Sequence, residues 1–103
     1  MRMLTICSKS WEYKLLTPSY TKQFIRDLKR MLKQGKSKEK IKEVLKKLVG
    51  EEKLDTRYKD HKLIGNYKNR RECHIEPDWL LIYKKIKGEI IFERTGTHSD
   101  LFE

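Results

Sequence analysis

Trp79-Leu80-Leu81-Ile82-Tyr83 is a run of five consecutive apolar residues in a chain whose charged residues (39%) outnumber its hydrophobic ones (37%). It follows Pro77-Asp78 and gives way to Lys84-Lys85. A segment this short, apolar at every position and bounded by a turn, reads as a strand buried on both faces, and such a strand sits centrally in its sheet. Its neighbours are legible on either side. Arg71 to Glu76 alternates, with Cys73 and Ile75 on one side and Glu72, His74 and Glu76 on the other. Ile90 to Thr95 forms a third strand after the Lys87-Gly88 turn, and short turns between three strands predict an antiparallel meander.

The first half has a helical period instead. Thr17 and Pro18 suit an N-cap and a first helical position. Tyr20, Phe24, Leu28, Met31 and Leu32 then recur on one helical face up to Gly35. Ser37 caps a second helix carrying Ile41, Val44, Leu45, Leu48 and Val49, closed by Gly50. Upstream, Trp11 to Leu15 alternates and can add a strand to the sheet. The expected fold class is α+β, in the order β-α-α-β-β-β: an antiparallel sheet of about four strands with an N-terminal helical hairpin packed on one face.

At 103 residues there is room for one domain, assigned to 11–103, with 1–10 as an N-terminal extension. No apolar stretch reaches the roughly 18 residues of a transmembrane helix, so no membrane partner is expected. The apolar run near Met1 is too short for a signal peptide, which makes the cytoplasm the default location. Cys7 and Cys73 form no C-x-x-C pair, and Cys73 reads as a small buried apolar residue.

Net charge is +10, and all of it resides in residues 1–50, which carry 14 Lys+Arg against 4 Asp+Glu. The three histidines lie in the neutral half, at positions 61, 74 and 98. A lysine-rich helical half can hold phosphates without reading sequence, or simply keep a helical face soluble. Imidazoles exchange protons near neutral pH. Together these features point to proton transfer on a polyanion, with RNA the natural candidate.

Metal-free RNA cleavage needs a base for the ribose 2′-OH, positive charge for the crowded phosphate, and an acid for the departing 5′-oxygen. His61, His74 and His98 can supply the proton transfers, and Arg94 a permanently charged fork. Asp78 can orient a histidine or act as acid or base itself. Trp79 or Phe102 can stack on an unpaired base. Each residue alone has a plainer explanation: Arg94 pairing with Glu93 or Glu76, Asp78 serving its turn, Trp79 filling core. Their combination is what favours chemistry. No His-x3–5-His or Cys-x2–4-Cys pair suggests zinc, and no cofactor or metal is expected. Cys73 and His74 face opposite sides of a strand, so they make no thiol–imidazole pair. There is no P-loop and no G-x-G-x-x-G.

Three segments carry a resemblance: Tyr58-Lys59-Asp60-His61-Lys62-Leu63-x-Gly65; Arg71-Glu72-x-His74-Ile75-Glu76-Pro77-Asp78-Trp79 through Tyr83; and Phe92-Glu93-Arg94-Thr95-Gly96-Thr97-His98-x-x-Leu101-Phe102. Over residues 58–102 the chain resembles the YafQ family of bacterial toxins, in the RelE/ParE superfamily. Over the helical hairpin only the order of elements matches. The resemblance implies a type II toxin that cuts mRNA on the 70S ribosome, held inactive by a DinJ-like antitoxin. That antitoxin would carry a ribbon-helix-helix domain, through which alone the pair would reach operator DNA. It places functional positions on His61, His74, Asp78, Trp79, Arg94, His98 and Phe102. His98 stands first as the acid or base nearest the scissile phosphate, with His61 and His74 for the complementary transfer. Asp78 tunes or replaces one of them, Arg94 stabilises charge, and Trp79, Phe102 and Lys62 place the RNA. Ile64, Asn66 and Tyr67 depart from the motif and bear on codon preference. Arg26, Lys29, Arg30, Lys46 and Lys47 are expected to dock ribosomal RNA. The alternatives are a ParE-like gyrase inhibitor, which has no need of proton-transfer groups, and a non-enzymatic RNA- or ribosome-binding module.

Overall fold

In the computed structural model, residues 15–63 and 69–102 are described; Cys7, the Ile64–Tyr67 loop and all of the expected Trp11–Leu15 strand except Leu15 lie outside them, and Leu15 itself is a bend ahead of the first strand. The elements run β1 (Thr17–Tyr20), α1 (Lys22–Lys33), α2 (Lys38–Val49), a 3-10 turn (Thr56–Tyr58), β2 (His61–Lys62), β3 (Arg71–Glu76), β4 (Trp79–Ile86), β5 (Glu89–Gly96) and α3 (His98–Phe102). The fold is α+β, with a five-stranded sheet ordered β1-β5-β4-β3-β2. The meander is antiparallel as expected, but β1 joins β5 in parallel, so the sheet is mixed.

β4 is central. Trp79, Leu81 and Tyr83 enter the main core, together with Phe24 and Met31 of α1, Ile41, Val44 and Leu48 of α2, Cys73, Ile75, Ile90 and Phe92. Leu80 and Ile82 face the other way, into a smaller cluster with Leu101 and Leu63. All five residues of the run are fully buried. The hairpin therefore covers one face of the sheet, while α3 and the end of β2 cover part of the other. Cys73 is buried, and burial pushes its thiol far above its ordinary pKa.

The first helix starts four residues later than the sequence suggests. Thr17-Pro18 belong to β1, and Thr21 is the N-cap, its hydroxyl accepting from Phe24 N at 2.9 Å. Both threonines offer the same capping chemistry. Pro18 fits equally well in an edge strand, where a missing N–H costs no ladder bond. Ser37 and Gly50 cap α2 as read, the Ser37 hydroxyl accepting from Lys40 N.

Two irregularities shape the site. Ile82 pairs with Arg94 but Tyr83 pairs with Phe92, so Glu93 is an extra residue in β5. This bulge shifts the alternation, and Thr95, not Arg94, takes the inward place opposite Leu81. Beyond Phe92, β1 no longer covers the β5 edge. The N-cap and a mid-helix side chain of α1 take over: the Thr21 hydroxyl donates to Glu93 O (2.9 Å), and the Asp27 carboxylate accepts from Thr95 N (3.2 Å).

Candidate active site

The small apolar cluster is the floor on which the site is built. Leu101 pins α3 to it, and Leu63 pins the end of β2. His61 on β2, His74 on β3 and His98 at the start of α3 form a row. Ring centroids are 6.2 Å apart for His61–His74 and 5.8 Å for His74–His98. Phe102, one helical turn after His98, continues the row at 6.5 Å and is 45% exposed. Three imidazoles from distant points of the chain thus share one surface with an accessible aromatic ring.

Each ring is fixed by a specific partner. The Pro77-Asp78 turn brings the Asp78 carboxylate to His98, where one oxygen accepts from the His98 backbone N–H (3.0 Å) and lies 2.6 Å from ring Nδ1. These bonds, the backbone one first, hold the Asp78 carboxyl below the usual aspartate range. With Nδ1–H committed to Asp78, Nε2 is the atom of His98 left for substrate. His61 Nδ1 lies 2.6 Å from Lys59 O, and Lys59 adopts a left-handed backbone (φ 48°) to present that carbonyl. Asp60 anchors the same segment, accepting from Tyr83 OH (2.6 Å) and Arg71 Nε (3.2 Å).

Glu72 is a member of the cluster that the sequence reading missed. Its side chain is 6% exposed, and one oxygen lies 3.2 Å from His61 Nε2 and 3.4 Å from His74 Nε2. The signal was its position two residues before His74 on the same strand face. The donor atoms of His61, Glu72 and His74 fall within 4.8 Å of one another, a set able to hold a divalent transition ion. Local zinc spacing is absent from the sequence, yet folding assembles these ligands from two strands.

Three expectations need correction. Trp79 is fully buried, its indole N–H donating to the Thr95 hydroxyl at 2.9 Å, so it has no face for an RNA base. Both faces of its strand are covered, which puts every side chain of the run in core. Arg94 is engaged by a carboxylate from the helical hairpin. Its guanidinium lies against buried Asp27, Nε at 2.7 Å and a terminal nitrogen at 3.4 Å. Much of its charge is therefore compensated, unlike the open fork expected. Lys62 is exposed, but strand alternation turns it away from His61 and the row of rings.

A groove of about 670 Å³ opens from His74 and His98 toward the hairpin, lined also by Lys40, Arg57, Lys59 and Pro77. Lys36 and Lys40 of the hairpin bridge to Glu76 at 3.1 and 2.9 Å. The basic half therefore reaches the edge of the imidazole row.

The comparisons with known proteins agree with this geometry. The family described as "Bacterial toxin of type II toxin-antitoxin system, YafQ" matches residues 16–103. The mRNA interferase toxin YafQ of Escherichia coli is 43% identical over 84 residues, spanning 81% of this chain and 91% of that protein. The crystal structure of the E. coli DinJ–YafQ complex superposes with a TM-score of 0.80 at 40% identity, covering 85% of this chain and 99% of that one. A metal-bound toxin from Helicobacter pylori superposes equally well, TM-score 0.80 at 39% identity, covering 85% of this chain and all of that one. Imidazoles gathered beside a capped β5 edge, on a chain matched over nearly its whole described length, lead to one conclusion: this chain belongs to the YafQ family of type II toxin–antitoxin toxins.

Proposed function

We propose that this chain is an mRNA interferase that cuts mRNA on the ribosome by metal-free acid–base transfer at the ribose 2′-OH. The observation carrying the reading is the His61–His74–His98 row, with Asp78 fixing one end and Glu72 joining the other two rings. His98 Nε2 accepts the 2′-OH proton as the 2′-oxygen bonds to phosphorus. His74, whose ring lies against Glu72, gives a proton to the 5′-oxygen as the P–O5′ bond breaks. His61 holds the far side of Glu72. Arg94, its charge partly offset by Asp27, offers guanidinium donors to the phosphate at the end of β5, and Phe102 stacks on a base beside His98. The imidazole row also weighs against a gyrase inhibitor of the same fold.

His98→Ala and Arg94→Ala are each expected to lower cleavage by about 10²-fold or more. Primer extension on mRNA after induction reads the result, and full activity in both variants rejects the site. An mRNA with a 5′-bridging sulfur at the cut needs no acid, so it should restore His74→Ala and leave His98→Ala slow. The reverse pattern swaps the two roles.

The likeness to the DinJ–YafQ complex supports a DinJ-type antitoxin as partner. A ribbon-helix-helix domain on that antitoxin would carry the pair to operator DNA. Among the described residues no helix is long and apolar enough to cross a membrane, and the proposed setting is the cytoplasm. Docking on ribosomal RNA falls to Arg26, Lys29, Lys46 and Lys47 of the hairpin. Arg30 is withdrawn from that set, since a fully buried carboxylate, Asp27, and Asp100 both hold it, whereas Lys47 makes only a helix-surface pair with exposed Glu43. Ribosome binding should weaken steeply with salt, and a flat response counts against docking through these side chains.

A further inference from the structure

Asp27 lies on α1, in the half of the chain without histidines, and is fully buried. Four side-chain or backbone groups donate to it: Arg94, Thr95 N, Arg30 (3.2 Å) and Gln23 (3.0 Å). Arg30 continues outward. Its other terminal nitrogen lies 3.5 Å from Asp100 and 3.5 Å from Thr95 O. Asp100 in turn closes the start of α3, accepting from Thr97 N (3.0 Å), while the Thr97 hydroxyl accepts from Asp100 N (3.1 Å). His98 is the residue held inside that capping box. A chain of contacts therefore runs from the buried hairpin carboxylate to the turn carrying the imidazole.

Two details give this chain a role other than general cohesion. Among the described residues the buried Arg30 Nε has no hydrogen-bond partner, so the guanidinium is placed by its contacts to Asp27, Thr95 O and Asp100 at a local cost. Gly96 lies beneath the crossing point. A Cβ there would come within 2.9 Å of Asp100 Cβ and 3.1 Å of the Arg30 guanidinium. The bare backbone at Gly96 is what lets α1 and α3 meet over the end of β5.

We propose that Asp27 and Arg30 are positioning residues that set where His98 stands, acting through Asp100 across Gly96. The inference rests on His98 being the reactive imidazole, and one arm of its test is independent of cleavage. Reacting groups misplaced by about 1 Å lose on the order of 10²-fold in rate. Arg30→Gln keeps the length and removes the charge, and Gly96→Ala wedges the crossing apart. Each should slow single-turnover cleavage on programmed ribosomes about tenfold at saturating toxin.

The discriminating measurement is a double-mutant cycle with His98→Ala, together with NMR of the histidine rings in the free toxin. If the strap acts through His98, Arg30→Gln adds no further loss in the His98→Ala background. It then also moves the His98 ring resonances while those of His61 stay in place. Equal losses in both backgrounds, or an unmoved His98 ring, overturn the proposal. Should His98→Ala itself cleave like wild type, the catalytic reading fails instead, and the ring shifts still decide whether the strap places His98.

Discussion

Trp79→Phe separates a core tryptophan from a base platform. The substitution keeps an aromatic ring but deletes the indole N–H that donates to the Thr95 hydroxyl at 2.9 Å. That hydroxyl still donates to Leu80 O at 2.7 Å, so it loses a donor and keeps an acceptor. The lost buried hydrogen bond costs about 1 kcal/mol. The smaller ring leaves a void in a site with no solvent access, adding about 1–2 kcal/mol. A total of about 2–3 kcal/mol lowers the melting temperature by roughly 8–15 °C in a domain of this size. Thermal unfolding by circular dichroism reads the loss. Cleavage on programmed ribosomes, measured well below the new midpoint, should stay within about twofold of wild type. An unchanged melting temperature with cleavage down by about 10²-fold would refute burial as the role of Trp79 and restore it to the RNA.

Three further outcomes follow from the same geometry. The His98 bonds depress the Asp78 pKa, so the ionised contact holds above the ordinary aspartate value and is lost only as pH falls through the lowered folded value. A carboxyl NMR titration midpoint at or above 3.8, the ordinary value, contradicts that contact. Zinc ions captured by His61, Glu72 and His74 would occupy imidazole nitrogens that the proposed cleavage uses. Added zinc should therefore inhibit, a chelator should restore activity, and His61→Ala should blunt the inhibition; equal inhibition of that variant rules out this ligand set. Cys73, buried with its thiol pushed toward the neutral form, should resist alkylation until the protein unfolds, and rapid labelling of the native chain would contradict its placement.

What could be read from the sequence followed from periodicity. Five apolar residues in a row placed β4 at the centre, and alternation put Cys73 inward and His74 outward. Helical spacing found Phe24, Met31, Ile41, Val44 and Leu48, all core. Three features escaped because they depend on contacts between distant residues. The Glu93 bulge breaks the alternation that would otherwise put Arg94 inward, and nothing in Phe92-Glu93-Arg94 announces it. Asp27 looks like one more charge on a helix, until the β5 edge that β1 leaves open draws it inside. Glu72 looks like a solvated strand residue, until β2 pairs His61 opposite it. The row of imidazoles was expected from the combination of residue types, whereas the groups that hold those rings were mostly invisible.

Parallel pairing of β1 with β5 has a temporal meaning. It stitches together stretches about seventy positions apart, a closure that local structure cannot anticipate and that forms late. The helical hairpin can condense early from local contacts, whereas the imidazole row needs β5 and α3 to follow. Because His98 and Phe102 both lie on α3, beyond the strand that β1 must meet, the row of rings cannot be whole before that long-range closure has its partner strand.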